Sequence, residues 1–171
     1  MILPDYFAFY GIPQSFHPDT EVVRKQYYAH SRNFHPDRVQ QSDEKALAES
    51  LSMSAMNNEA YKILNDPDRL MGYILRLHGV VEEEEAYKLP PAFLMEMMEL
   101  NEAIGNADMD PSLKSAAVQE YENAMNSWKH AVAPRMLAFD QGDRSPELLA
   151  ALKDFYYRKK YLLRIRERIL A

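Results

Sequence analysis

One tripeptide occurs twice in this sequence, and it is the unit best suited to reach another molecule: His17-Pro18-Asp19 and His35-Pro36-Asp37. In either copy proline fixes φ and stiffens the chain. The aspartate can cap a helix, or pair with a partner's arginine in a charge-assisted bond. The histidine can donate, accept or stack. The tripeptide alone does not discriminate between these uses, but its surroundings do. The first copy directly precedes a helical segment from about Thr20 to Phe34, so Asp19 is the expected N-cap. The second copy ends that segment, because Pro36 disfavours helical geometry in the residue before it. Arg24, Lys25, Arg32 and Arg38 surround it, and Phe34 sits just before it. A stiff corner carrying a carboxylate beside a cationic helix attracts an acidic partner and speeds encounter.

Other chemistries lack their residues. The chain has no cysteine, which removes disulfides, thiolate metal sites and cysteine nucleophiles together. Five scattered histidines form no His-x-x-x-His pair with a third ligand, and no glycine-rich phosphate loop occurs. Carboxylate pairs such as Glu99 and Glu102 fall on an exposed face, whereas catalytic carboxylates need a desolvated pocket. No catalytic residue, metal or cofactor is therefore expected. The net charge of -6 is unevenly spread, with the deficit concentrated in residues 81–130, where three Lys/Arg face eleven Asp/Glu. A nucleic-acid surface needs the opposite sign. No apolar run is long enough to span a bilayer, and the start lacks the features of a signal peptide. The expected compartment is the cytoplasm.

The elements that must position the corner are helical throughout. Strand-like alternation and hairpin turns are absent, and helical spacing recurs along the chain. A short helix is predicted near 4–10, then the helix 20–34, whose inward face would be Val23, Tyr27, His30 and Phe34. His30 is expected buried and neutral, with a partner. A third helix spans about 43–65 with Ser42 as candidate cap, and a fourth spans 67–77 and ends at His78-Gly79. Glu82-Glu83-Glu84-Glu85 followed by Pro90-Pro91 reads as a linker, since like charges repel and prolines stiffen. Helices at about 91–104, 111–138 and 146–170 follow, with Asp110-Pro111 capping the second of them. The fold class is all-α: a first domain over 1–79, a linker over 80–90, and a three-helix bundle over 91–171.

On the helix from 91, Phe93, Met97, Leu100 and Ile104 step by four, three and four and form the core stripe. Leu94, Met95 and Met98 fall off that stripe, with Glu99 and Glu102 beside them. An apolar cluster outside the core and rimmed by carboxylates reads as a contact surface, and methionine adapts well to a partner's shape. Trp128, at helical spacing with Tyr121, reads as core. In the run Phe155-Tyr156-Tyr157 two rings should pack inward, and spacing leaves open which one faces out.

Two family resemblances sit on these residues. The basic second helix, the loop His35-Pro36-Asp37 and the stretch Asn57-Asn58-Glu59-Ala60-Tyr61-Lys62-Ile63-Leu64-Asn65-Asp66-Pro67 together resemble a J-domain over residues 1 to about 77. The segments Tyr73-Ile74-Leu75-Arg76-Leu77-His78-Gly79 and Phe93-Leu94-Met95-Glu96-Met97-Met98-Glu99-Leu100 resemble the HscB family, which extends the likeness over nearly the whole chain. His30 departs from the J-domain pattern, which has leucine facing the core there. The resemblance implies a non-enzymatic co-chaperone with two partners. A DnaK/HscA-type chaperone ATPase would be met by His35, Pro36, Asp37, Arg24, Lys25, Arg32 and Arg38. An IscU-type iron–sulfur scaffold protein would be met by Leu94, Met95, Met98, Glu99, Glu102 and, among the three aromatics, Tyr157. Two other readings fit parts of the sequence: a J-protein for a different client, and a small helical enzyme or binding protein.

Overall fold

A computed structural model of the chain describes residues 2–40 and 43–171. Among these residues the fold is all-α, as expected, with seven α-helices: α1 (Tyr6–Tyr10), α2 (Thr20–Asn33), α3 (Glu44–Leu64), α4 (Pro67–Leu77), α5 (Pro91–Met109), α6 (Lys114–Asp140) and α7 (Pro146–Leu170). The chain divides into two compact units, one running to Gly79 and the other Val80–Ala171. None of the described helices is long and apolar enough to cross a membrane.

In the first unit, short polar side chains set the helix starts. Asp5, Asp19 and Asp66 each accept two free N–H groups of the turn they precede. Ser42, the expected cap of α3, lies outside the described residues. Asp43 performs the capping, its carboxylate accepting the Ala46 N–H at 3.0 Å. Gly11 takes the left-handed conformation (φ 65°) that closes α1. The core gathers Phe7, Tyr10, Val23, Ala60, Leu64 and six consecutive residues of α4, Leu70 to Leu75. The Tyr73 hydroxyl donates to the Pro4 carbonyl at 2.7 Å and accepts the Tyr6 N–H at 2.8 Å, so α4 holds the segment leading into α1 in place.

Helices α2 and α3 form an antiparallel hairpin. Tyr27 meets Asn58, Ser31 meets Asn57, and Phe34 meets Ser54 and Ser50, so numbers rise on one helix as they fall on the other. His30 departs from its expected surroundings. Its ring lies among Phe9 (4.4 Å between centroids), Phe34 (5.3 Å) and Tyr10 (5.5 Å), and its buried Nδ1 has no hydrogen-bond partner. Aromatic stacking surrounds the ring where a polar partner was expected.

The second unit is an up-down-up bundle. Phe93 packs edge-on to Tyr161, and Asn101 and Asp108 are within reach of Arg168, so α5 and α7 run parallel. Trp128 reaches Phe155 from the antiparallel α6, its Nε1–H donating to the Phe155 carbonyl at 2.8 Å. The helices outrun their predicted ends because buried residues continue past them: Ala107 extends the α5 stripe and Phe139 the α6 stripe. Asp110-Pro111 does not cap α6 directly. Pro111 opens a single 3₁₀ turn, Pro111–Leu113, whose Ser112 N–H and hydroxyl bind Asp110, and α6 begins after it.

The stretch 80–90, expected as a linker, is tied to α7. Glu84 turns the chain through the left-handed region (φ 57°). Glu85 then pairs with Lys153 and accepts the Tyr157 hydroxyl at 3.1 Å, while Tyr87 donates to Asp154 at 2.9 Å. The last of the four like charges, Glu85, is met by opposite charge on α7, which sequence adjacency cannot show.

Candidate functional site

The second His-Pro-Asp copy forms an ordered corner. His35 is extended (φ -65°, ψ 129°), and Pro36 opens a 3₁₀ turn, Pro36–Arg38, closed by Arg38 N–H to the His35 carbonyl (3.0 Å) and Val39 N–H to the Pro36 carbonyl (3.1 Å). Nδ1 of His35 accepts the Asp37 N–H at 3.2 Å. That bond needs the Nδ1 lone pair, so the neutral ring carries its proton on Nε2. The Asp37 carboxylate is 3.6 Å from the same Nδ1, and bonding to it would need a proton on Nδ1, which would surrender the backbone bond. The backbone bond governs the neutral ring, and the carboxylate points to water with 89% of the side chain exposed.

The cationic residues fall into two groups. Arg24, Lys25 and Arg32 line one surface depression on α2 together with Glu21, Val22 and Tyr28. Arg38 is not among them; it sits in the 3₁₀ turn beyond the corner. Arg24 is 3.6 Å from Glu21, an exposed pair of little energetic consequence. Tyr28, more than half exposed, adds an aromatic surface between the cations that sequence reading missed. The signal for it was available, because 24, 28 and 32 share a helical face.

On α5, Phe93, Met97, Leu100 and Ile104 are buried, while Leu94, Met95 and Met98 are 37%, 64% and 68% exposed. Glu99 and Glu102 are exposed beside them. Tyr157 is held on another set of contacts: its ring stacks on Tyr87 at 4.5 Å and 8°, and its hydroxyl meets Glu85. Burial first, and the Glu85 carboxylate after it, push the Tyr157 phenol up to about 12. The Lys153 bond leads the contacts that hold the Glu85 carboxyl below the ordinary glutamate range. Glu85 and Tyr87 were not foreseen as neighbours of Tyr157, since some seventy residues of chain separate them.

Residues 89–170 match the family model of the HSCB C-terminal oligomerisation domain. A co-chaperone protein HscB homolog of Vibrio cholerae serotype O1 is 30% identical over 169 residues, 97% of this chain and 99% of the relative. The iron–sulfur cluster co-chaperone protein HscB of Homo sapiens is 30% identical over 155 residues, 88% of this chain and 64% of that protein. The crystal structure of human co-chaperone protein HscB resembles this fold with a TM-score of 0.77 at 26% identity, covering 97% of this chain and 80% of that one. Chaperone HscB from Vibrio cholerae gives 0.73 at 25% identity, covering 97% and 95%.

Proposed function

The chain belongs to the HscB family of co-chaperones, and from that premise we propose that it stimulates the ATPase of a DnaK/HscA-type chaperone and delivers an IscU-type iron–sulfur scaffold protein to it. In this reading residues 1–79 face the chaperone, residues 80–90 connect, and residues 91–171 hold the client.

The observation that carries the chaperone half is the outward carboxylate of Asp37 on a corner whose backbone groups are already paired. Such a carboxylate offers acceptors to a partner's guanidinium in a bidentate, charge-assisted bond. Little ordering remains to be done at docking, because Pro36 and two turn hydrogen bonds hold the loop. Arg24, Lys25 and Arg32 on the α2 face, with Arg38 in the turn, supply attraction to an acidic surface and raise the on-rate more than the final affinity. His35 orients the turn through Nδ1 and leaves Nε2–H as an outward donor.

The client half rests on the outer flank of α5. Leu94, Met95 and Met98 lie outside the core stripe, and Glu99 and Glu102 rim them. Fully burying one such apolar side chain is worth about 1.5–3 kcal/mol. Association and side-chain ordering offset much of that. The result is moderate affinity, which suits a carrier that must release its load. Tyr157, half-buried against Tyr87 and bonded to Glu85, is proposed as a further client contact.

The test is the chaperone's steady-state ATPase rate with wild-type protein, with His35→Gln protein, and with scaffold added. The expected outcome is stimulation by the wild type, loss of it in His35→Gln, and further stimulation when scaffold is present. Stimulation that survives His35→Gln contradicts the docking role. A Leu94→Ala/Met98→Ala variant that stimulates the chaperone normally but no longer retains the scaffold supports the client face. Failure of even the wild type to bind scaffold favours a different client.

A further inference from the structure

The face of α3 that meets α2 near the corner is polar where a helix hairpin would ordinarily be apolar. Ser50, Ser54 and Asn57 step by four and three and share that face. The Ser50 and Ser54 hydroxyls both donate to the carbonyl of Phe34, at 2.6 and 2.8 Å. One turn further along the hairpin, Asn57 Nδ2 donates to the Tyr27 carbonyl at 3.0 Å and to Ser31 Oγ at 3.1 Å. Its side-chain oxygen accepts the Tyr10 hydroxyl at 2.8 Å. Asn57 is 1% exposed and Ser50 6%, while Ser54 is half-buried, so these bonds are partly shielded from water.

The target of the two hydroxyls is informative. Phe34 is the C-cap of α2, and a carbonyl at a helix end has no intrahelical partner. It is also the last peptide oxygen before His35-Pro36-Asp37. Two donors on one oxygen occupy both of its lone pairs and fix the plane of the Phe34–His35 peptide, from which the corner departs. A single donor would restrain that plane less. Apolar residues at 50 and 54 would bury the same surface without setting a direction, since the hydrophobic effect is non-directional.

We propose that Ser50 and Ser54 are positioning residues for the His35-Pro36-Asp37 corner, and that the Asn57 bonds fix the register of α2 on α3 beneath it. This rests on the reading of the corner as the chaperone contact. The mechanism is pre-organisation: the two hydroxyls keep the corner in one conformation before docking. When only a fraction of molecules hold the competent conformation, apparent affinity falls by that fraction while the saturated rate is unchanged.

The experiment compares full-length wild type, Ser50→Ala/Ser54→Ala and, as a stability control, Ile74→Val in the buried α4. Chaperone ATPase is titrated with each, and amide exchange of Asp37, Arg38 and Val39 is followed without chaperone. The double variant should raise the half-saturating concentration by roughly tenfold and keep the plateau, the scale set by losing two partly or fully buried hydrogen bonds. Exchange at the three amides should quicken by a similar factor, and Ile74→Val should move neither. The proposal is overturned if the folded double variant matches wild type in both, if Ile74→Val reproduces its effects, or if the plateau falls while the midpoint stays. Should the double variant not fold, Ser54→Ala alone carries the same comparison at smaller amplitude. A wild type that does not stimulate the chaperone refutes the docking reading, and the exchange arm still decides whether the serines hold the corner.

Discussion

The two His-Pro-Asp copies show how little a tripeptide decides by itself. In the first, Asp19 accepts the Glu21 and Val22 N–H groups at 3.0 and 3.3 Å, and its carboxylate is engaged in starting α2. In the second, the ring nitrogen of His35 does the capping, and the Asp37 carboxylate is left facing water. The same three residues thus serve the fold at one end of α2 and face outward at the other. Helix α5 repeats the lesson around its circumference. Phe93 and Met97 are buried, while Met95 and Met98 are among the most exposed large apolar side chains of the chain. Groups engaged by the fold serve its stability, and groups the fold leaves outward are open to a partner.

The contrast on α5 carries the largest expected effect. Phe93→Ala should destabilise the second unit by about 3–5 kcal/mol, because it removes a buried aromatic and leaves a cavity. Met98→Ala should change stability by no more than about 0.5 kcal/mol, yet weaken scaffold binding by roughly tenfold through lost apolar burial. Denaturant unfolding and scaffold titration of the two variants give both numbers. A Met98→Ala protein as unstable as Phe93→Ala would erase the distinction between the flanks.

The two aspartates come next. Asp37→Ala should leave the melting temperature unchanged and weaken chaperone docking by about 10–100-fold, the loss expected for hydrogen bonds made by a charged group. Asp19→Ala should do the reverse, costing about 1 kcal/mol of stability through the lost cap and leaving the docked complex intact. Calorimetry and ATPase titration run on both proteins check the crossing pattern. If both variants lose stability alike, the second copy is a structural turn like the first.

The smallest effect concerns Glu85, an acid the fold engages, beside Glu99, one it leaves out. Its folded pKa is lowered, chiefly by Lys153, so the Glu85–Tyr157 tie is fully present above the ordinary glutamate pKa of about 4.3. It is lost only as pH falls through the lowered value. The Tyr157 ring resonances should therefore hold steady from neutral pH down to about 4 and shift on further acidification. On the alkaline side Tyr157 and Tyr87 are both raised to about 12, so their neutral forms persist beyond the ordinary tyrosine range. That contribution is present below about pH 10 and is lost as pH rises towards 12. Glu85→Gln should show the acid-shifted Tyr157 spectrum already at neutral pH.

What the sequence determined was local. The cap Asp19 and the left-handed Gly79 beyond α4 were readable because each acts within one turn of its own residue. The α5 core stripe and its exposed flank followed from helical spacing alone. The tertiary structure decided the partners of groups whose contacts lie far along the chain. Those include the serine pair on the Phe34 carbonyl, the aromatic surroundings of His30, and the binding of an acidic run to α7 through Glu85 and Tyr87. Periodicity records which face of a helix turns inward. It carries no record of which polar atom on another helix will stand opposite.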